Sequence, residues 1–166
     1  MQIVEYQPRF RDDFIRLNTA WIEKYFAMEQ DDYDTLYHAE ELLEKGAMIF
    51  FAVEGETVLS TAMAAPINDS EWEICKLATD ENQRQHGAGS AVFKACMDYA
   101  LTRGAKRLVI ISNRILKPAL HIYEKFGFRE IPVDSTHSYQ RADIQFEFIP
   151  SPIAYSGILN SQSSSL

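Results

Sequence analysis

Basic residues are in short supply: 16 Lys and Arg stand against 24 Asp and Glu, a formal net charge of -8. No stretch concentrates lysine and arginine against that acidic background, which argues against a phosphate-tracking surface and against nucleic acid as a partner. No apolar run approaches the roughly 20 residues that cross a bilayer. The opening Met1-Gln2-Ile3-Val4-Glu5 lacks a basic region followed by an apolar signal segment. The expectation is a cytoplasmic protein with no membrane partner. Cysteine is scarce as well. Cys75 and Cys96, the only two, lie in apolar periodic segments and read as reduced core residues, not as a disulfide or zinc framework. His86, His121 and His137 share no ligand spacing with one another or with the cysteines, so no metal is expected.

What is present suits one packed domain. The chain has 166 residues, of which 46% are hydrophobic, ample for a single core. The domain is expected over 1–150, with 151–166 a serine-rich tail. Gln2 to Tyr6 alternates as a strand, and Pro8 opens a helix in which Phe10, Phe14, Leu17 and Trp21 recur every three or four residues. A second helix is expected from Leu36 to Lys45, capped by Gly46. Ala47 to Val53 and Thr57 to Ala65 read as a hairpin around Glu54-Gly55-Glu56, and Trp72 to Thr79 as a third strand. A helix from Gly87 to Arg103 carries Val92, Cys96, Tyr99 and Ala100 on its inner side. Arg107 to Ser112 is a continuous apolar strand, Pro118 to Phe126 a further helix, and Phe128 to Val133 and Ala142 to Ile149 the last strands. This order predicts a mixed α/β sheet with helices on both faces.

Chemistry concentrates between Trp72 and the helix after Gly89. Glycine at 87 and 89 lets backbone approach a ligand closely, and free amides at a helix N-terminus favour an anion, with a diphosphate the natural guest. On the glycines alone, a plain glycine-containing helix start stays open. A dinucleotide turn fits poorly, because Val92 stands where the third glycine belongs and the next strand ends in Ser112-Asn113 without an acidic residue for a ribose.

Arg84-Gln85-His86-Gly87-Ala88-Gly89 resembles the pyrophosphate loop of the GNAT superfamily of acyl-CoA N-acyltransferases: Arg or Gln, two residues, Gly, one residue, Gly or Ala. Ala119, Ile122-Tyr123, Lys125 and Gly127-Phe128 follow the order of the family's later motif, and together these segments cover Glu73 to Phe128. Leu116 departs from the pattern where many relatives carry Asn, and Asn113, at the end of the preceding strand, is the nearby candidate for a CoA contact. The resemblance implies a largely antiparallel GNAT-like sheet that opens where Leu77, Ala78 and Thr79 present backbone to the pantetheine arm of acetyl-CoA. It implies that amides of Gln85, His86, Gly87, Ala88, Gly89 and Ser90 hold the pyrophosphate, with Arg84 adding charge at the edge. Homodimers are common in the family, and no seam in this sequence compels one.

The implied activity is transfer of an acetyl group to a primary amine, expected to belong to a small molecule, by direct attack in a ternary complex. Tyr123 stands where the family places the general acid that protonates the leaving thiolate; as a residue it reads equally as a buried aromatic. Glu73 is the candidate base, or an exposed strand carboxylate. Cys75 offers an acyl-enzyme route, but the family transfers directly and no activating histidine adjoins it. Tyr25, Tyr33 and Tyr37 fall in the region that covers the acceptor in relatives. The acidic balance leans toward cationic amines. A non-catalytic acyl-CoA-binding module is the alternative reading.

Overall fold

The structure, a computed structural model, describes residues 1–134 and 139–151, without the side chains of Arg84, Gln85 and His86. His137 and the tail from Pro152 onward lie outside the described residues. The chain runs β1 (Gln2–Glu5), a 3-10 turn (Pro8–Phe10), α1 (Arg11–Tyr25), α2 (Gln30–Tyr37), α3 (Ala39–Glu44), β2 (Met48–Glu54), β3 (Thr57–Pro66) and β4 (Glu71–Thr79). A second 3-10 turn (Glu81–His86) leads into α4 (Ala88–Thr102), followed by β5 (Arg107–Ser112), α5 (Lys117–Lys125), β6 (Arg129–Ile131) and β7 (Ile144–Phe148).

The seven strands form one sheet in the order β1-β2-β3-β4-β5-β7-β6. Every pairing is antiparallel except β4 with β5. Alternation on the central strands feeds two cores at once, because successive side chains of a strand point to opposite faces. Phe50, Ala52, Ala62, Ala64, Trp72 and Ile74 face α4 and α5, where they meet Val92, Phe93, Cys96 and Tyr123. Ile49, Phe51 and Met63 face the other way, against Phe14, Leu17, Ile22 and Leu36 of α1 and α2. A sheet covered by helices on both faces explains the near-continuous apolar runs.

The single helix expected from Leu36 to Lys45 is two helices, α2 and α3, parted at His38, whose backbone leaves the helical region (φ -125, ψ 32). The start of α2 is set farther upstream by a capping box: the Glu29 side chain accepts from the Asp32 amide, and Asp32 accepts from the Glu29 amide at 2.9 Å. Only Asp32 and Leu36 of α2 are buried, so the segment has too little apolar periodicity to be seen in the sequence. The strand expected over Phe128 to Val133 is shorter, Arg129–Ile131, ending before Pro132, which has no amide to donate to a ladder. Along β7 the polar residues are buried too, each with a partner: Glu147 accepts from Arg107 (2.9 Å) and Arg129 (2.6 Å), and Gln145 accepts from the Asp134 amide (2.8 Å). Among the described residues no helix is long and apolar enough to cross a membrane.

Candidate active site

The two parallel strands stay together for only three residue pairs, Glu71 with Arg107, Trp72 with Leu108 and Glu73 with Val109. Beyond Glu73 they part, β4 running on to Thr79 beside β3 while β5 runs to Ser112 beside β7. Into the gap opens a cavity of about 280 Å³. Its walls are β4 from Glu73 to Thr79, the start of α4 at Gly87, Gly89 and Ser90, the end of β5 through Leu116, and Ala119, Ile122 and Tyr123 of α5. Trp21 and Tyr25 of α1 and the segment holding Tyr139, Arg141 and Ala142 close one end.

The features at the start of α4 follow from two glycines with different reasons. Gly87 caps α4 in the left-handed region (φ 68), and a Cβ built there would meet nothing within 4 Å. Its backbone needs glycine and its side-chain space is open. Gly89 sits where a Cβ would stand 3.0 Å from Thr79 Oγ1 and 3.3 Å from Ile122 Cδ1. It lets α4 pack closely on the end of β4 and on α5, which brings the helix start, the strand end and Ile122 to one place. Thr79 is held in turn by Ser60, whose hydroxyl lies 2.9 Å from Thr79 Oγ1 and donates to the Ala78 carbonyl at 2.9 Å. Lys125 reaches Ser90 Oγ at 3.4 Å, so a cation stands at the mouth of the helix.

The structure brings Glu73, Leu77, Ala78, Thr79, Gly87, Gly89, Ser90, Asn113 and Tyr123 to this one cavity. Ala88 is buried beneath it in the helix. Arg84, Gln85 and His86 belong by backbone to the turn before Gly87, and their side chains lie outside the described residues. Asn113 has its amide committed: it donates to the Arg141 carbonyl at 2.7 Å and accepts from the Ile115 amide at 2.9 Å. Of the three tyrosines of the first helices, Tyr25 lines the cavity, whereas Tyr33 and Tyr37 are exposed and lie against each other with ring centroids 6.0 Å apart.

Burial sets the protonation of the chemical groups. Tyr123 is packed between Phe93 (5.4 Å) and Phe146 (5.6 Å), and burial drives its phenol pKa up, with Ser112 as a hydrogen-bonding neighbour pulling the other way. It therefore stays protonated through neutral pH. Burial also raises the Glu73 carboxyl, opposed by the charge of Lys76. Burial pushes the Cys75 thiol well up, which leaves little thiolate to act as a nucleophile.

At the closed end lies a buried ionic cluster that sequence reasoning missed. β4 carries a bulge: Thr61 pairs with Ala78 but Met63 with Cys75, so Lys76 and Leu77 oppose one residue, and Lys76 adopts φ 56. A left-handed non-glycine costs about 1–2 kcal/mol. The bulge reverses the strand's parity, so that Cys75 packs toward α1 and Leu77 toward α4. Lys76 Nζ donates to Asp32 Oδ1 at 2.5 Å and to the Tyr139 hydroxyl at 3.2 Å. Arg141 grips the same carboxylate with both Nη atoms, at 2.7 and 2.6 Å, and reaches Glu29 at 3.4 Å. Burial alone would raise the Asp32 carboxyl, but Arg141 and Lys76 hold it down at about 2. The lone lysine between Cys75 and Leu77 in an otherwise apolar stretch was the visible signal; its partners, in α2 and beside β7, are not readable from spacing.

A mixed sheet parted between its two parallel strands, above a glycine-led helix, defines the class as the acetyltransferase fold. The sequence matches the acetyltransferase (GNAT) family over residues 14–128, and the chain belongs to that family. It is 24% identical over 105 residues to human N-acetyltransferase 8B, a match covering 60% of this chain and 46% of that protein, so the chain spans about half the length of the curated relative. Its fold superposes with a TM-score of 0.80 on a GNAT-family acetyltransferase from Staphylococcus aureus Mu50, at 15% identity over 89% of this chain and 98% of that one. It superposes with a TM-score of 0.69 on an aminoglycoside 6'-N-acetyltransferase complexed with coenzyme A, at 15% identity over 92% and 99% of the two chains.

Proposed function

We propose that this chain transfers an acetyl group from acetyl-CoA to a primary amine of a small molecule by direct attack. The observation that carries the reading is the parting of β4 from β5 after Glu73, which leaves the β4 backbone from Leu77 to Thr79 lining a cavity that also receives the start of α4. An extended pantetheine arm fits such a gap as an added strand, and a diphosphate fits the amides from Gln85 to Ser90. The open space at a Gly87 Cβ and the cation of Lys125 beside Ser90 support that placement. A likeness to a fold solved with coenzyme A agrees with it.

Acetyl-CoA supplies an activated acyl group with a thiolate as leaving group. The carbon–sulfur bond breaks as the new carbon–nitrogen bond forms, so one proton must leave the amine and one must reach sulfur. Glu73, made more basic by the burial that raises its carboxyl pKa, takes the amine's proton directly or through water. Tyr123, kept protonated by burial, gives the proton to sulfur. The high Cys75 pKa favours direct attack over an acyl-enzyme. The small-molecule acceptor is supported by a tie across the closed end: the Gln140 amide donates to Glu29 at 2.9 Å and Arg141 binds Glu29 and Asp32, whereas a polypeptide needs the groove between those segments open. A thiol-release assay with acetyl-CoA and a panel of small amines tests the reading. Amine-dependent release at micromolar enzyme supports it; tight CoA binding without release toward any amine supports a non-catalytic binding module instead.

A further inference from the structure

We infer that the closed end of the cavity is a carboxylate-binding subsite formed by Arg141, Lys76 and Tyr139, and that the acceptor is an amine carrying a carboxylate, of amino-acid type. The inference rests on the acetyl-transfer reading and adds the chemistry of the acceptor. It starts from hydrogen-bond donors left over after the buried cluster is satisfied. A guanidinium has five N–H groups in a planar fork. Both N–H groups of Arg141 Nη1 are engaged, by Asp32 and Glu29, and one of Nη2 by Asp32. Nε and the second N–H of Nη2 have no partner among the described residues. That edge has the same two-donor geometry as the edge that holds Asp32, and it is shaped for a second carboxylate.

The neighbouring groups are of the same kind. Lys76 uses two of its three N–H groups, on Asp32 and on the Tyr139 oxygen. Tyr139 accepts from Lys76 and so keeps its own proton to donate. All three residues line the cavity. Arg141 is 11% exposed at its side chain and is stacked over Tyr139 at 4.7 Å and Trp21 at 5.4 Å, so its plane is fixed before any ligand arrives. Asp32 neutralises one of the two buried cations, and Glu29 lies nearer the rim at 23% exposure. Glu29 pairs with Arg141 and balances the second, so the cluster is neutral overall and what it offers a ligand is its unused donors.

Glu73 lines the same cavity on the same strand. The site therefore offers an acid to an amine and surplus donors to an oxyanion, a pattern that matches a zwitterion. The unused donors run against the lean toward cationic amines that the net charge of -8 suggested: an amine with no carboxylate would leave those N–H groups unmatched.

The experiment compares kcat/KM in acetyl-CoA-dependent thiol release for pairs that differ only in the carboxylate: phenylalanine and phenethylamine, leucine and isoamylamine, lysine and cadaverine. The carboxylate-bearing member of at least one pair is expected to be better by about tenfold or more in the unmodified protein. Arg141→Lys, which keeps the charge and loses the fork, lowers that ratio about tenfold through the KM of the amino acid. Tyr139→Phe, a smaller change that keeps the ring, lowers it about threefold. Decarboxylated partners that react equally well or better overturn the subsite and leave acetyl transfer standing. Tight acetyl-CoA binding with no turnover of either member overturns the transfer reading and the subsite with it.

Discussion

The proposed function asks one side chain, Tyr123, to serve packing and chemistry together. Its ring completes the core between Phe93 and Phe146, while the residue also lines the cavity. Tyr123→Phe keeps the ring, so melting temperature should move little and CoA affinity less than threefold, whereas turnover should fall by about tenfold or more, within the range general acid catalysis contributes. Steady-state kinetics beside calorimetric CoA binding separates the two; a loss of stability with turnover retained would make the hydroxyl structural. Asp32 makes the contrasting case of a charge whose work is structural. Its pKa is lowered in the fold, so its contribution is complete above the ordinary aspartate value near 4 and is lost as pH falls toward about 2. Chemical denaturation between pH 7 and pH 2.5 should therefore show stability declining below pH 4. In Asp32→Asn the Lys76 and Arg141 charges stay buried without their counter-ion, which should cost about 3–5 kcal/mol at pH 7 and flatten that acid limb.

At the scale of elements, the glycines at the head of α4 should separate by experiment. Gly87→Ala strains a left-handed backbone by about 1–2 kcal/mol but meets open space; CoA affinity should fall at least tenfold while the melting temperature drops only a few degrees. Gly89→Val pushes side chain into Thr79 and Ile122, so it should destabilise the fold by about 1–3 kcal/mol, and thermal unfolding without ligand will show it. The sequence alone suggested one role for both, because motif spacing does not carry backbone angles or the approach of α5. What could be read were elements with a periodic apolar face: Val92, Cys96 and Ala100 on α4, and the alternating strands around Glu54-Gly55-Glu56. What could not be read were local exceptions to periodicity. The start of α2 is set by a capping box and its face by two buried side chains, and the bulge at Lys76 lies where that lysine meets ions brought from α2 and from the segment before β7. Within the cluster Lys76 and Asp32 are 44 residues distant in sequence, and Asp32 and Arg141 109, beyond any local pattern. Tyr123 was named from its place in a motif and Glu73 from its strand, and both line the cavity; the ionic cluster around Asp32 was not readable.

Across the whole molecule, a sheet with one parallel pairing is covered on both faces, and its only parallel pair separates at Glu73, where both faces of the fold supply residues to one cavity. Helices α4 and α5 line one part of it, and α1 and the segment before β7 another. The proposed function requires a donor to lie in the gap as if it were an added strand. Amide hydrogen exchange with and without saturating coenzyme A tests this most directly. Slowed exchange confined to residues 77–79 and 85–90, with the β2 and β3 amides unchanged, is the predicted result; saturated binding that leaves both segments unprotected, or that protects a different surface, would contradict the account.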